Sequence, residues 1–479
     1  MDIIKPFSRN SKLFALLIVI SLLCLSSNIG ISIKTSDSED SQTYDFLIIT
    51  PEEFSKEIKP LEEHKEKYGI KTKIVTLKEV YEEMFWQGRD DAEKIKYFIK
   101  KAYDEWDIKY VLLVGGIKNQ LSKEEKWWLP VRYSYLEERW TAMPRYKENK
   151  FLSDLYFADI YDNESNFCSW DTDNDGYHGE WFGNNSAEDI LDLYPEVYIG
   201  RLPCRNRFEV RIVVHKIINY ETKKADESWF KKMVVVAGDS YVGEDDIDGD
   251  NKPEGEIETQ KALDQMPGFE PIKLWTSTGS WRYPVDIIFE INKGCGFCFF
   301  NSHGCPSGFS DHPPNSTEWI FGLSNYNLFL LRNRNKLPVC VNLGCHCSMF
   351  NVSLGYSTKN SGRPCYECIN WRLVTKINGG CIATIGFTGL ALITEDKLDP
   401  SQGGASGGLV TRFFKEYGIN NNTILGDCYG GAIQKYIESY PIDWDQNSYN
   451  DSAIDAKIVE QLVLFGDPTL KIGGYDKSF

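Results

Sequence analysis

Short, continuously apolar runs alternate with longer amphipathic stretches along most of this chain, and no other feature constrains its fold as tightly. Residues 44–50, 71–77 and 110–115 read as strands, while 51–68 and 92–106 carry the apolar spacing of amphipathic helices. Strand, helix, strand, helix, strand is the order of a parallel α/β sheet, because parallel neighbours need a crossover connection. A strand at 197–202 and a helix at 207–223 complete this series, and the irregular, aromatic and acidic stretch 120–185 reads as elaborate loop. A second series opens with a strand at 232–237, then a helix from about Glu256, a strand at 272–276 and a helix at 285–293. Two strands ending at His303 and Cys345 follow, with 318–331 helical between them. A strand at 380–385, helices near 407–417 and 430–440, and the run 462–472 close the chain. The boundary falls near Ser228, so the expected class is α/β with two parallel-sheet subdomains, 44–228 and 229–479.

Hydrophobic residues at 42% and aromatics at 14% describe a chain able to bury a core, which excludes a disordered protein. A net charge of −17, with no basic run to offset it, argues against a nucleic-acid partner. The same balance suits cationic substrates or bound calcium. Lys5, Arg9 and Lys12 precede the apolar stretch Leu13–Leu25, and small polar residues follow. That is the order of a secretory signal peptide, taken as 1–33, with an apolar core shorter than the ~20 residues a membrane span needs. An uncleaved anchor is the alternative, and only then would the protein meet a membrane. The leucines before Cys24 speak against lipidation there. The mature chain is expected outside the cell or on its surface. Asn-x-Ser/Thr triplets at Asn163, Asn184, Asn315, Asn351, Asn421 and Asn450 suit surface loops of such a chain. Its thirteen cysteines allow disulfides, whereas Cys298 and Cys340, inside apolar strands, read as core.

Asp171, Asp173 and Asp175 alternate ahead of Gly176 and Tyr177. Carboxylates at every second position, a glycine for a sharp turn and then a backbone carbonyl suit a hard cation with oxygen ligands. Glu180 comes earlier than the last ligand of a standard EF-hand loop, and no helical flanks are evident, so the reading is a structural calcium loop of another kind. A solvated acidic turn is the plainer alternative. The run Asp245–Asp250 carries a fainter version of the signal.

The reactive residues sit where strands end. In an open parallel sheet, ligands bind beyond the carboxyl ends of the strands. An imidazole at 303 and a thiol at 345 could therefore act on one substrate, Cys345 as nucleophile and His303 as general acid. Gly304 leaves the backbone beside His303 open, and Gly344 permits a tight turn before Cys345, so the N–H groups of Gly304 and Cys345 are the candidate oxyanion donors. A structural cysteine and a capping histidine are the bland alternative. Cys347 is the rival nucleophile, two residues on. Cys345, His346 and Cys347 together with Cys365 and Cys368 also have the spacing of a zinc site, or of a disulfide between Cys347 and Cys365 or Cys368, or between the latter two; disulfide is preferred.

Five segments in order, Tyr110–Gly115, Val197–Arg201, the strand end at His303-Gly304, the strand ending in Cys345, and Phe465–Thr469, resemble the gingipain-type cysteine peptidases of the caspase-like clan. The resemblance spans nearly all of the mature chain. It implies that the second subdomain is caspase-like and that His303 and Cys345 are the catalytic pair of an endopeptidase acting on protein or peptide substrates through a thioester. It further implies that Asp239 orients the histidine, and that Glu258, or failing it Glu256, selects Arg or Lys before the scissile bond. The bland alternatives are a helix-capping aspartate and two surface glutamates at a helix start. This chain departs from the family in having Cys345-His346-Cys347 where one cysteine is usual, and in lacking the long C-terminal adhesin and sorting regions. A transpeptidase resolving the thioester with an amine is a close variant; a catalytically silent calcium-binding surface protein is the alternative of another class.

Overall fold

The central apolar runs become strands buried on both faces, while the runs at the two sheet edges stay partly exposed. A computed structural model describes residues 43–119, 121, 124–137, 148–242, 252–355, 365–392 and 404–476. The leader at 1–33 and the acidic run at 245–250 lie outside the described residues. The strands are β1 (Phe46–Thr50), β2 (Thr72–Thr76), β3 (Tyr110–Val114), β4 (Tyr133–Ser134), β5 (Phe151–Leu152), β6 (Tyr198–Leu202), β7 (Lys232–Ala237) and β8 (Glu270–Trp275). They continue as β9 (Phe297–Asn301), β10 (His303–Cys305), β11 (Gly308–Asp311), β12 (Ile320–Ser324), β13 (Val339–Asn342), β14 (Ala383–Phe387) and β15 (Leu462–Phe465). Ten of them form one sheet in the order β2-β1-β3-β6-β15-β14-β13-β9-β7-β8.

The two series are therefore halves of a single sheet rather than two sheets. The joint is β15, which runs parallel to β6 and antiparallel to β14. All other pairings in the ten-stranded sheet are parallel, so the strands of the two halves point in opposite directions. Sequence periodicity marks a strand but not its neighbour, and β15 follows β6 by more than two hundred residues.

Two of the family-like segments build this joint. Gly200 of β6 lies against the Gly466 carbonyl, and a Cβ there would sit 2.4 Å from it. Arg201, fully buried, makes a two-pronged ion pair with Asp154 (2.6 and 2.7 Å) and bonds the Gly115 carbonyl. Asp467 receives the buried Lys65 ammonium at 2.7 Å, and Glu221 holds the same ammonium at 2.8 Å. Removing one partner from such a buried cluster strands a charge, at about 3–5 kcal/mol.

The stretch 318–331 is not the expected helix. It contains β12 and the single turn Leu328–Leu330, and β12 belongs to a small antiparallel sheet, β10-β11-β12. Gly322 explains the difference. The Phe309 ring of β11 packs onto its bare Cα, where a Cβ would sit 2.2 Å away, a cross-strand contact that wants an extended backbone. Connection from His303 to Cys345 thus runs through a β-excursion. No helix of the described residues is long and apolar enough to cross a membrane.

Candidate active site

β9 and β13 are parallel neighbours, with Phe300 opposite Asn342. Their ends emerge side by side at one edge of the sheet, carrying His303 and Cys345. Beyond the ends the two backbones touch: a Cβ on Gly304 would lie 2.5 Å from Gly344 Cα and 2.8 Å from Cys345 N. Only glycine permits that approach, and it seats the residues on either side across one cavity of about 70 Å³. Its lining includes His303, Cys345, Glu258, Asn301, Ser240 and Tyr241.

Each apolar run closes on an asparagine, and both amides act locally. Asn342 Oδ1 accepts from Gly344 N–H (3.1 Å), shaping the turn into Cys345, and its amide donates to Asn370, which donates to Ser348 (2.9 and 2.8 Å). Asn301 donates to Glu258. The Cys345 thiol is half-buried and 3.6 Å from the Ala391 carbonyl; burial pushes it up to about 11. At neutral pH it is a thiol at rest, so a base must take its proton before attack.

Directly behind it lies a polar cluster that sequence reading missed. His346, in the left-handed region (φ 59°), puts Nε2 2.9 Å from Glu148 Oε1. Glu148 Oε2 accepts from Lys457 (3.0 Å) and from Leu390 N–H (2.8 Å). All three side chains are buried; burial opposes ionisation of Glu148, but Lys457 and His346 hold it well below the usual carboxylate range. Residues so far apart in the chain give no spacing signal. Among the described residues His346 and the nearby cysteines form no group close enough to hold a metal ion.

His303 Nε2 is 2.7 Å from the Ser240 carbonyl. A carbonyl only accepts, so Nε2 carries the proton in the neutral ring and Nδ1 holds the basic lone pair. Tyr241 and Trp319 stand edge-on to the ring at 6.3 and 5.4 Å. Asp239, buried at the end of β7, is one residue from the carbonyl that contacts the ring. Its N–H donates to His312 O (3.0 Å), and its carboxylate accepts from Asn315 N–H (3.2 Å). The wholly buried Asp311, also missed, accepts from Ser240 Oγ at 3.2 Å, and burial raises its carboxyl well above the usual range.

The two glutamates separate clearly. Glu256 is buried against the end of β8, accepting from Ser277 N–H at 2.9 Å and Thr276 Oγ1 at 3.3 Å. Glu258 lines the cavity of His303 and Cys345, and burial raises its carboxyl. The glycine at 407 packs against it, where a Cβ would lie 2.2 Å from Oε1.

Cys347 is buried, its Sγ 3.6 Å from the Cys305 carbonyl, and it does not line the cavity. The twelve cysteines of the described residues are all free, so the disulfides expected for Cys347, Cys365 and Cys368 are not formed. The reason is local: Cys365 Sγ turns to the Glu367 carbonyl (3.1 Å), and Cys347 points at the β10 hairpin. Among the described residues the one group of three or more metal-ligating side chains is Asp171, Asp173 and Asp175, with carboxylate oxygens within 4.8 Å of one another. Gly176 (φ 95°) and Asn174 (φ 65°) supply the sharp turn. Burial and the surrounding carboxylates raise Glu180 to about 7, so charge there wants a cation; Arg89 already meets Asp171 at 2.7 Å.

A caspase-like α/β sheet with an imidazole and a thiol on adjoining strand ends defines a cysteine-peptidase fold. The model of peptidase family C25 matches residues 39–473, and the chain belongs to that family of gingipain-type cysteine peptidases. It is 21% identical over 445 residues to gingipain R1 of Porphyromonas gingivalis, covering 91% of this chain and 34% of that protein. It is 20% identical over 313 residues to gingipain R2 of the same species, covering 64% of this chain and 33% of the relative. The chain thus spans about a third of the length of these curated relatives. The crystal structure of the Arg-specific cysteine proteinase gingipain R superposes with a TM-score of 0.59 at 17% identity, covering 91% of this chain and 79% of that one. The complex of the pro- and mature domains of a Porphyromonas gingivalis gingipain gives 0.57 at 18%, covering 89% and 79%.

Proposed function

We propose that the protein is an exported cysteine endopeptidase that cleaves after Arg or Lys. The observation that carries this reading is the Gly304–Gly344 contact, which seats His303 and Cys345 across the cavity that Glu258 also lines. His303 Nδ1 takes the thiol proton as Cys345 Sγ attacks the substrate carbonyl. The oxyanion meets the N–H groups of Gly304 and Cys345. The imidazolium then protonates the leaving amine, the C–N bond breaks and a thioester remains. Water, deprotonated by the same imidazole, releases the acid; an amine in its place would give transpeptidation. Glu258 would pair with the guanidinium or ammonium of the residue before the cleaved bond, whereas Glu256 is committed to the 276–277 turn.

Reporter peptides differing only in Arg, Lys, Asp or Leu test this. Cleavage of the Arg and Lys peptides that disappears in Cys345→Ala supports the reading, and a preference for Asp or Leu overturns the role of Glu258. Absence of Cys345-dependent labelling by a thiol-reactive peptide would leave the silent calcium-binding protein as the reading. Calcium would be held by Asp171, Asp173 and Asp175, with the Tyr177 carbonyl and Glu180 adjoining, as a structural ion.

A further inference from the structure

Strand order creates a second crevice in the other half of the sheet. The chain passes from β1 to β2 on one side and returns to β3 on the other, giving the order β2-β1-β3. In open α/β sheets such a reversal opens a crevice beyond the strand ends, where ligands bind. The catalytic half repeats the device, β8-β7-β9, and its crevice is the cavity of His303 and Cys345. At the β1/β3 reversal lies a larger cavity of about 540 Å³.

Its walls say what it would take. Pro51, Glu52 and Glu53 follow β1, where a nucleotide site would carry a glycine-rich turn for phosphate. Two carboxylates there repel an anion. Tyr81, Phe85, Trp127 and Trp128 add aromatic surface; Glu82 and Asp91 also line it but are paired with Lys78 (3.9 Å) and Lys94 (3.6 Å), so the open negative charge is that of Glu52 and Glu53. Phe85 is 66% exposed and the adjoining Trp86 90% exposed, an unusual outlay of aromatic area on a protein surface. Glu52 and Glu53 have no ion pair among the described residues. The Trp128 ring already accepts an ammonium on its face, that of Lys118 at 4.8 Å. Acid beside exposed aromatic rings is the chemistry that holds a lysine or arginine flanked by apolar side chains.

We propose that this crevice docks a basic, partly apolar segment of another polypeptide. Because β15 reverses the strand direction between the halves, the crevice opens at the opposite edge of the sheet from Cys345. Binding there is separate from the cleft and does not depend on the chemistry proposed for it.

The test uses the full chain carrying Cys345→Ala and Glu258→Gln, which removes turnover and the cleft's own attraction for basic residues. A fluorescein-labelled decapeptide of alternating Lys and Leu is titrated by fluorescence anisotropy, beside its Glu/Leu counterpart. The Lys peptide is expected to bind, more weakly as salt rises, and at least tenfold less tightly in Glu52→Lys/Glu53→Lys. Phe85→Ala should weaken it several-fold. These positions are exposed, and unchanged thermal melting shows that the fold is kept. No binding, equal binding of the two peptides, or affinity indifferent to the charge reversal would overturn the proposal.

Discussion

The two halves of the sheet share a strand order and differ in what fills the crevice it creates. At β7/β9 the crevice is small and its polar groups are tied to one another: Ser240 to His303 and Asp311, Asn301 to Glu258, Asn342 to the turn before Cys345. At β1/β3 it is several times larger, with exposed carboxylates and aromatic rings. The lesson is that topology fixes where a ligand goes, while hydrogen bonding behind the lining decides whether chemistry is done there. Bond-making needs groups held to a fraction of an ångström; docking needs only area and charge.

The sharpest way to break this contrast is to remove a reacting group. Cys345→Ala should abolish peptide cleavage, whereas Cys347→Ala should keep the greater part of it. His303→Ala should cost on the order of 10²–10⁴ in turnover. Its residual alkylation by iodoacetamide should rise about tenfold per pH unit toward pH 11, because only the thiolate reacts and nothing remains to take the proton. A rate already maximal at pH 7 in that variant would contradict the resting thiol.

Next comes the shell behind the nucleophile. Glu148→Gln removes the carboxylate that pairs with the buried Lys457 ammonium and His346, so a loss of about 3–5 kcal/mol is expected by denaturant titration. Activity should fall as well, since Glu148 ties His346 to the Leu390 backbone beside the thiol. Gly304→Ala pushes a methyl into Gly344 backbone that has nowhere to go; about 1–3 kcal/mol of stability should be lost along with cleavage. In the other half, Glu52→Lys/Glu53→Lys should leave melting and the iodoacetamide rate unchanged, since nothing near Cys345 depends on them.

At the acidic loop the expected effect is on stability alone, with the least on cleavage. Calcium at a hundred times its dissociation constant should add about 2.7 kcal/mol, a shift of a few degrees in Tm, and Asp173→Asn/Asp175→Asn should erase that shift. Equal melting with calcium and with chelator in the unsubstituted chain would remove the ion from the account.

What was legible in the sequence was local. Runs such as 297–301 and 339–342 announce buried strands, and the residue that closes such a run is placed with it, so His303 and Cys345 could be read as neighbours at one edge. The resemblance alone ranks Glu258 ahead of Glu256, because which of them the Ser277 turn claims is a tertiary contact that spacing does not encode. Glu148, Lys457 and Asp311 were illegible. Each acts through a partner far away in the chain or on another strand, and no period or spacing encodes such a meeting. The lost helix at 318–331 has the same origin, a contact between Gly322 and Phe309 that overrides local preference.

β15 carries one more consequence. Among the described strands the one that welds the two halves together is the last in chain order, so until residues 462–465 leave the ribosome β6 and β14 each present an unzipped flank. Joining of the two halves therefore waits on a single four-residue insertion, and a nascent chain stalled before it would be a sticky pair of half-sheets ready to pair with the wrong neighbour.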